Sequence, residues 1–480
     1  MKQKSLGRNA FYNIIYKVLN VLFPMISMAY VSRVLMADGV GRTAAVNNNV
    51  SYFLIFASLG IPTYGLREVS KRRDNCCSRD KLFSELFLLN FILSLLTYVI
   101  FTVIIFNIDY FQTDIILYNI YGLTIILNIF NIDWLFQALE EYRYITLRSI
   151  IVKLVSIIFL FVFVKSKDDI YIYAFIQVMG TTGNYILNVL RLKSQVHFSC
   201  KYISFTPHIR PLLYMALGGV SAELYAKIDI SMLDYLKGSI VVGYYANSQK
   251  IINMTITFLV AVTAVFMPRL SYLFENNKNE FNRLLKSGLE LMITLSIPAC
   301  IGMIAVSKPL VLTFLGNDFS NASVTVSILS LMIPLKCIGD IICYQVMMCA
   351  SQEAILMKSY FFVMIVNLIN NILLIPRFGA EGAAIASVIS ETSVFVYVFH
   401  FSRNYFNISG VRIVFMKTFA CSLFMLLAIY MADLLRVPPY LELFSKLIVG
   451  IIVYILLCCF TKHEVVMKYS KILISIVRGS

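Results

Sequence analysis

The sequence predicts an all-α polytopic membrane protein of about fourteen transmembrane helices, and three observations carry that expectation. Of 480 residues, 59% are hydrophobic and only 14% charged, with a mean hydropathy of +0.79; soluble globular chains run near 45–50% apolar and about 25% charged. The apolar residues gather into stretches of about 20, the length a helix needs to cross the hydrocarbon core. Lysine and arginine are dense in alternate connections and sparse in the others. A soluble chain of this composition would leave large apolar patches in water.

Taken in order, the fourteen stretches begin near Ala10, Ala44, Leu82, Asp114, Leu147, Tyr171, Leu212, Lys250, Lys286, Ser323, Met357, Ala380, Ile413 and Phe444. Connections are short, the longest running from Arg191 to Pro211, so no soluble domain is inserted. With the N-terminus on the first side, that side holds 27 Lys and Arg and the other holds nine. Cytoplasmic loops collect these residues, which predicts both termini in the cytoplasm. The basic start, Met1-Lys2-Gln3-Lys4 to Arg8, resembles the head of a signal peptide. The segment after it is long, holds Lys17 and Pro24 and lacks an A-x-A site, so it is expected to stay as the first span.

The chain carries 41 Lys and Arg against 26 Asp and Glu, a net charge of +15. In a soluble protein that excess would suggest nucleic acid. Here it follows topology, and no basic run is interleaved with exposed aromatics as base stacking requires, so no nucleic-acid partner is expected. The ten cysteines include the neighbours Cys76-Cys77 and Cys458-Cys459 but no C-x-x-C. Most of the others lie in apolar stretches, where a thiol behaves as a small hydrophobe. His197, His208, His400 and His463 are dispersed, so no metal, disulfide framework or cofactor is expected. Gly39-Val40-Gly41-Arg42-Thr43-Ala44 loosely fits a dinucleotide loop, but no strand precedes it and it falls between two spans. There is no G-x-x-x-x-G-K-[ST] and no nucleophile–base pair, so the chain reads as neither an ATPase nor another enzyme.

Weak self-similarity divides the chain. Gly41 and Ala44 match Gly243 and Ala246 at an offset of 202, which also carries Arg67 onto Arg269. Arg148-Ser149 matches Lys358-Ser359 at an offset of 210, and Ala174 matches Ala384. Six spans per half in the same orientation make a parallel repeat, and transporters of that kind bind substrate between the halves. The expected organisation is a six-helix lobe over residues 1–205, a second over 206–405, and two further helices with a tail over 406–480.

Ionisable residues inside spans cost roughly 2.5–3.5 kcal/mol on insertion scales, so function is expected where they occur. Asn13, Lys17, Asn20, Pro24 and Ser27 form one stripe on the first span, which ends in Tyr30 and Arg33. The seventh span carries Glu223, Lys227, Asp229 and Asp234. Glu223 and Lys227 are four apart in the favourable order, Asp234 shares their face, and Asp229 points nearly opposite. Lys250, Asn253 and Thr257 form a stripe on the eighth span. The fourth shows Tyr121, Thr124, Asn128 and Asn131, then Asp133, Trp134, Gln137 and Glu140. Lys153, Lys336, Asp340 and Glu391 complete the embedded set.

Several motifs resemble the polysaccharide repeat-unit flippase family, the exporters of O-antigen, capsule and exopolysaccharide units. Asn9, Asn13 and Pro24 lead into Tyr30-Val31-Ser32-Arg33-Val34-Leu35, followed by Gly39-Val40-Gly41, Gly60-Ile61 and Gly65-Leu66-Arg67-Glu68. Asp133-Trp134-Leu135-Phe136-Gln137-Ala138-Leu139-Glu140 and Val162-Phe163-Val164-Lys165 with Asp168-Asp169 come next. Tyr225, Asp229 and Met232-Leu233 precede Val242-Gly243-Tyr244-Tyr245-Ala246-Asn247 and Lys250. Pro268-Arg269-Leu270-Ser271, Asn367, Asn371, Ile375-Pro376, Gly379, Gly382-Ala383-Ala384 and Glu391 close the pattern. One departure is Met36-Ala37-Asp38, where the family commonly has Gly after Arg-Val-Leu.

The resemblance implies the two-lobed, MATE-like helical fold of the multidrug/oligosaccharidyl-lipid/polysaccharide exporter superfamily. It also implies a substrate, an undecaprenyl-diphosphate-linked oligosaccharide turned from the inner to the outer leaflet of the bacterial cytoplasmic membrane. Membrane lipids, a polysaccharide polymerase and a chain-length regulator are the implied partners. On that footing Lys17, Arg33, Lys250 and Arg269 are expected to face the diphosphate. Asn20, Asn128, Asn131 and Asn253 are expected to face sugar or line the cavity, and Asp133, Asp229 and Glu391 are candidates for ion coupling. The competing expectations are a multidrug cation antiporter of the same superfamily, a peptidoglycan lipid-precursor flippase and a repeat-unit polymerase. The embedded lysines weigh against the first, and the lack of large external loops against the last.

Overall fold

The computed structural model describes residues 6–192, 196–198, 203–432 and 438–468, with the side chains of 6–22, 215, 217–219, 222 and 432 outside that description. Helices and turns, and no strand, make up the described residues. That follows from the solvent: in lipid each backbone N–H and C=O must find its partner within the protein, and a helix provides this inside one segment. Nine helices among the described residues are long and apolar enough to cross a membrane, and the chain is a multi-pass membrane protein. The count of fourteen is not reached by that measure, for physical reasons. Two of the nine each contain a backbone break, and the stretches that begin near Asp114, Tyr171 and Leu212 fall outside the nine, the first short and the last carrying four ionisable residues between Glu223 and Asp234.

The chain divides into two compact units, Met1–Gly243 and Tyr244–Ser480. The first begins with α1 (Leu6–Ser58), broken at Met36, where φ is 57° and ψ −172°. The break comes directly after Arg-Val-Leu, and this backbone conformation is one that glycine alone adopts readily. A second turn at Leu59-Gly60 redirects the chain into the short amphipathic α2 (Ile61–Lys71). Then follow α3 (Cys76–Asn107), α4 (Asp109–Gln112), α5 (Ile115–Leu127), a 3-10 turn (Asn128–Phe130) and α6 (Asp133–Ala138). The unit continues with α7 (Tyr142–Phe163), α8 (Ile170–Leu192), α9 (Thr206–Lys237) and the start of α10 (Ser239–Thr263).

Asn75 caps α3 by accepting from Ser78 N at 3.1 Å, the usual service of asparagine at a helix start. α1 packs on α3, α5, α7 and α9. One core cluster gathers Ile61, Tyr64, Phe83, Leu86, Trp134, Phe136 and Leu212, which fixes α2 and α6 against α3 and the start of α9. Gly41 and Gly243, paired by the sequence repeat, meet in this unit. A Cβ on Gly41 would lie 1.7 Å from Ser239 O, and one on Gly243 would lie 2.2 Å from Ala37 O. Only glycine permits that backbone approach.

The second unit holds the remainder of α10, then α11 (Met267–Asn276) and the long α12 (Lys278–Phe314). After these come α13 (Ala322–Ser330), α14 (Met332–Gly339), a π-helical turn (Asp340–Gln345) and α15 (Val346–Cys349). α16 (Glu353–Ser402) is broken at Gly379, with φ 55° and ψ −126°. α17 (Val411–Ala432) and α18 (Pro439–Phe460) form the last hairpin and pack on α12 through Ala305, Met425 and Ile429.

Candidate functional site

In the first unit one polar cluster forms at the interruption between α5 and α6. Asn128 is 3% exposed, and its amide is saturated. Its Nδ2 donates to Ser94 Oγ at 3.2 Å and Asn90 Oδ1 at 3.4 Å. Its Oδ1 accepts from Asn131 Nδ2 at 3.1 Å and Ser58 Oγ at 3.4 Å. Asn90 Nδ2 closes the set on the backbone carbonyl of Asn128 at 2.7 Å. One turn later Asp133 accepts from Arg148 at 3.1 Å and from Asn188 Nδ2, while Arg148 also donates to Asn188 Oδ1. A buried cation is tolerated when it is paired in this way. Asn128 and Asp133 therefore tie the broken helix to α3, α7 and α8.

The face of α9 is the second cluster. Lys227 pairs with Glu223 at 2.6 Å, as their spacing predicts. Asp234 does not join them. It accepts from Tyr110 on α4, because two helical turns separate it from Lys227 and α4 comes nearer. Asn48 donates to Lys227 O at 3.0 Å and Ser231 Oγ at 2.9 Å, and Ser231 donates to Asn49 Oδ1 at 2.9 Å. Tyr52 and Tyr118 extend this network. Asp229 lies beside it, 3% exposed and within electrostatic reach of Tyr52.

The amphipathic α2 lies at the end of the unit that charge assigns to the cytoplasm. Glu68 accepts from Lys71 at 2.9 Å and pairs with Arg67 and Arg72 at 3.2 and 3.3 Å. Burial pushes its carboxyl up, but the three cations outweigh that and hold it below the usual range. Nearby, His208 stands between Tyr64 OH at 2.9 Å and Glu85 Oε2 at 3.0 Å. Glu85 also accepts from Ser204 N at 3.0 Å.

In the second unit Lys250, Asn253 and Thr257 form an exposed stripe on α10, and Arg269 is exposed on α11. Lys250 has no ion pair or hydrogen bond among the described residues. Lys336 on α14 pairs with Glu391 on α16 at 3.2 Å. Asp340, one turn beyond Lys336, accepts from Gln345 Nε2 at 2.8 Å.

The structure thus brings Asn128 and Asn131 together in the first unit, and Lys250 and Asn253 onto one stripe in the second. Arg33 is exposed near the break in α1. Lys17 and Asn20 fall on α1, with side chains outside the described residues. Lys227 and Lys336 are matched by acids, so the embedded cationic charge is smaller than the sequence count of lysines suggests. Sequence reasoning missed Arg148 and Asn188 as partners of Asp133, and it missed the His208 cluster. Only long-range contacts reveal these, because Asn188 is 55 residues from Asp133 and Glu85 is 123 from His208.

The chain's likeness to known proteins agrees with this architecture. Across 83% of its length it is 22% identical to 97% of a protein of Escherichia coli (strain K12) named as an O-antigen transporter. A solved structure titled lipid II flippase MurJ, inward closed conformation, superposes with a TM-score of 0.76 at 16% identity, covering 95% of this chain and all of that one. An inward-facing multidrug resistance MATE family transporter of the MOP superfamily superposes with a TM-score of 0.66 at 13% identity, covering 84% of this chain and 98% of that one. These two likenesses establish the MATE-like helical fold. The polysaccharide biosynthesis protein family matches residues 6–274, more than half of the sequence, and the chain belongs to that family.

Proposed function

We propose that this protein is a flippase for lipid-linked oligosaccharides. It would move undecaprenyl-diphosphate-linked repeat units from the inner to the outer leaflet of the bacterial cytoplasmic membrane by alternating access. The product serves surface polysaccharide synthesis, whether O-antigen, capsule or exopolysaccharide. The observation that carries this reading is the near full-length likeness to a protein named as an O-antigen transporter, within a family defined by polysaccharide biosynthesis. The bias of lysine and arginine supports cytoplasmic termini, and the protein acts as a transporter rather than as an enzyme.

The physics of the cargo supports the same reading. A diphosphate cannot enter hydrocarbon without counter-charge, and sugar hydroxyls need hydrogen-bond partners. Arg33, Lys250 and Arg269 present exposed cations, Asn253 offers an amide beside Lys250, and Lys17 and Asn20 on α1 are proposed for the same role. Asn128, saturated by internal bonds, holds the helix break, while Asn131 gives it one amide bond and keeps its carbonyl oxygen for the cargo. Asp133, Asp229 and Glu391 are the acids proposed for ion coupling, Asp133 beside Arg148 and Glu391 beside Lys336. A polymerase and a chain-length regulator would receive the flipped unit.

Depletion in the host tests the reading. Lipid-linked oligosaccharide should accumulate in the cytoplasmic leaflet and return to the outer face on re-expression. Normal surface glycan after depletion would reject the protein as the sole exporter.

A further inference from the structure

The π-helical turn at Asp340–Gln345 has no counterpart in the sequence reading, and it creates a contact that an α-helix cannot make. In an α-helix, neighbours on one face are three or four residues apart. The wider π turn closes i→i+5 bonds, and here it stacks Gln345 over Asp340, with Nε2 to Oδ2 at 2.8 Å. Gln345 is 2% exposed, and its Oε1 has no hydrogen-bond partner. Asp340 has no lysine or arginine within ion-pair distance among the described residues. Lys336, one turn before it, is held by Glu391.

One acceptor without a donor and one carboxylate without a cation therefore sit side by side inside an apolar span. A carboxylate paired with a primary amide makes one hydrogen bond, from the amide N–H. A carboxylic acid makes two, because its O–H also donates to the amide carbonyl. A single proton on Asp340 answers both deficits: it removes the embedded charge and supplies the donor that Gln345 Oε1 lacks.

We infer that Asp340 and Gln345 form a proton-binding site in the second unit, with the acid and amide closing a two-bond ring across the π turn. The proton enters from water at the half-buried carboxyl, and no other bond is made or broken. Lys336 and Cys337 on α14, Tyr344 on the turn, and Tyr360 and Glu391 on α16 are the other titratable groups around Asp340. α12 meets the turn through Gly288 against Ile341. The Lys336–Glu391 pair is self-neutralising, so the proton belongs to Asp340 and not to Glu391. This site does not depend on what the protein transports.

Infrared difference spectroscopy on the full-length protein in lipid bilayers, at neutral pH, reads the site directly. A carboxylic-acid carbonyl band should be present, vanish in Asp340→Asn and persist in Glu391→Gln. In Gln345→Leu, which leaves the carboxyl untouched, the band should move to higher frequency as the acid loses its amide partner. An Asp340→Asn spectrum that keeps every wild-type acid band would overturn the proposal. So would an unshifted band in Gln345→Leu, which remains decisive even if Asp340→Asn does not fold.

Discussion

The interruption after Leu127 and the widened turn at Asp340 occupy corresponding places in the two halves of the chain. The offset of 210 that carries Arg148 onto Lys358 also carries Phe130 onto Asp340. Interrupted helices at matched positions of a repeat are where transporters of this kind place irregular backbone. The first break tightens into a 3-10 turn and the second loosens into a π turn. In the first, Asn128 is saturated by its neighbours and Asp133 is matched by Arg148 and Asn188, with Arg148 Nε the one atom of the set left without a partner among the described residues. In the second, Lys358 is exposed, Lys336 is committed to Glu391, and a buried carbonyl goes unanswered. One half has turned its break into scaffold, while the other has kept a titratable gap. The lesson is that a shared fold position sets where the backbone bends, and the side chains decide whether the bend is inert.

Arg148→Ala should break this contrast hardest, because it leaves the Asp133 carboxylate without its cation. Removing one partner of a buried pair costs roughly 3–5 kcal/mol, and the quarter exposure of Asp133 favours the lower end. A large fall in melting temperature in detergent is the expected readout. Asn128→Ala, which strands Asn90 and Ser94, should cost about 1–3 kcal/mol in the same melt.

Met36→Gly should act in the opposite direction. The backbone there has φ 57° and ψ −172°, a region that costs of order 1–3 kcal/mol for any residue but glycine. A gain of about 1 kcal/mol is expected, and a loss would show that the Met36 side chain outweighs the strain. Gln345→Leu should cost about 1–3 kcal/mol in the same melt, since it takes from Asp340 the amide that donates to it at 2.8 Å.

The smallest effect concerns acid. The Glu68 carboxyl is held below its ordinary value, so its contribution is complete above the ordinary carboxylate range. That contribution is lost as pH falls through the folded value. Glu68→Gln should flatten that part of the acid profile without changing the behaviour of either break.

Much of this was legible in the sequence, and the exceptions have physical causes. Apolar length and charge alternation are local properties, so the spans and the Glu223–Lys227 pair could be read directly. Asn128 and Asn131 were visible as amides out of place in lipid, but not as partners of Asn90 and Ser94, because that pairing is made in three dimensions. Asp234 was legible as sharing the face of Glu223 and Lys227, but not as the acceptor from Tyr110, for the same reason. The π turn is invisible to a period of 3.6 residues, which puts Asp340 and Gln345 on different faces. Met36 was legible only as a departure from a family pattern; the structure adds that its backbone adopts a glycine conformation.

The most direct test of the account is transport by the purified protein in liposomes loaded with a lipid-linked oligosaccharide, using an external glycan-trimming enzyme to report the leaflet. Wild-type protein should expose the inner-leaflet oligosaccharide to the enzyme, and Lys250→Ala with Arg269→Ala should slow this sharply at unchanged protein level. Equal exposure in protein-free liposomes, or full activity of the double variant, would contradict a flippase that works through these cations.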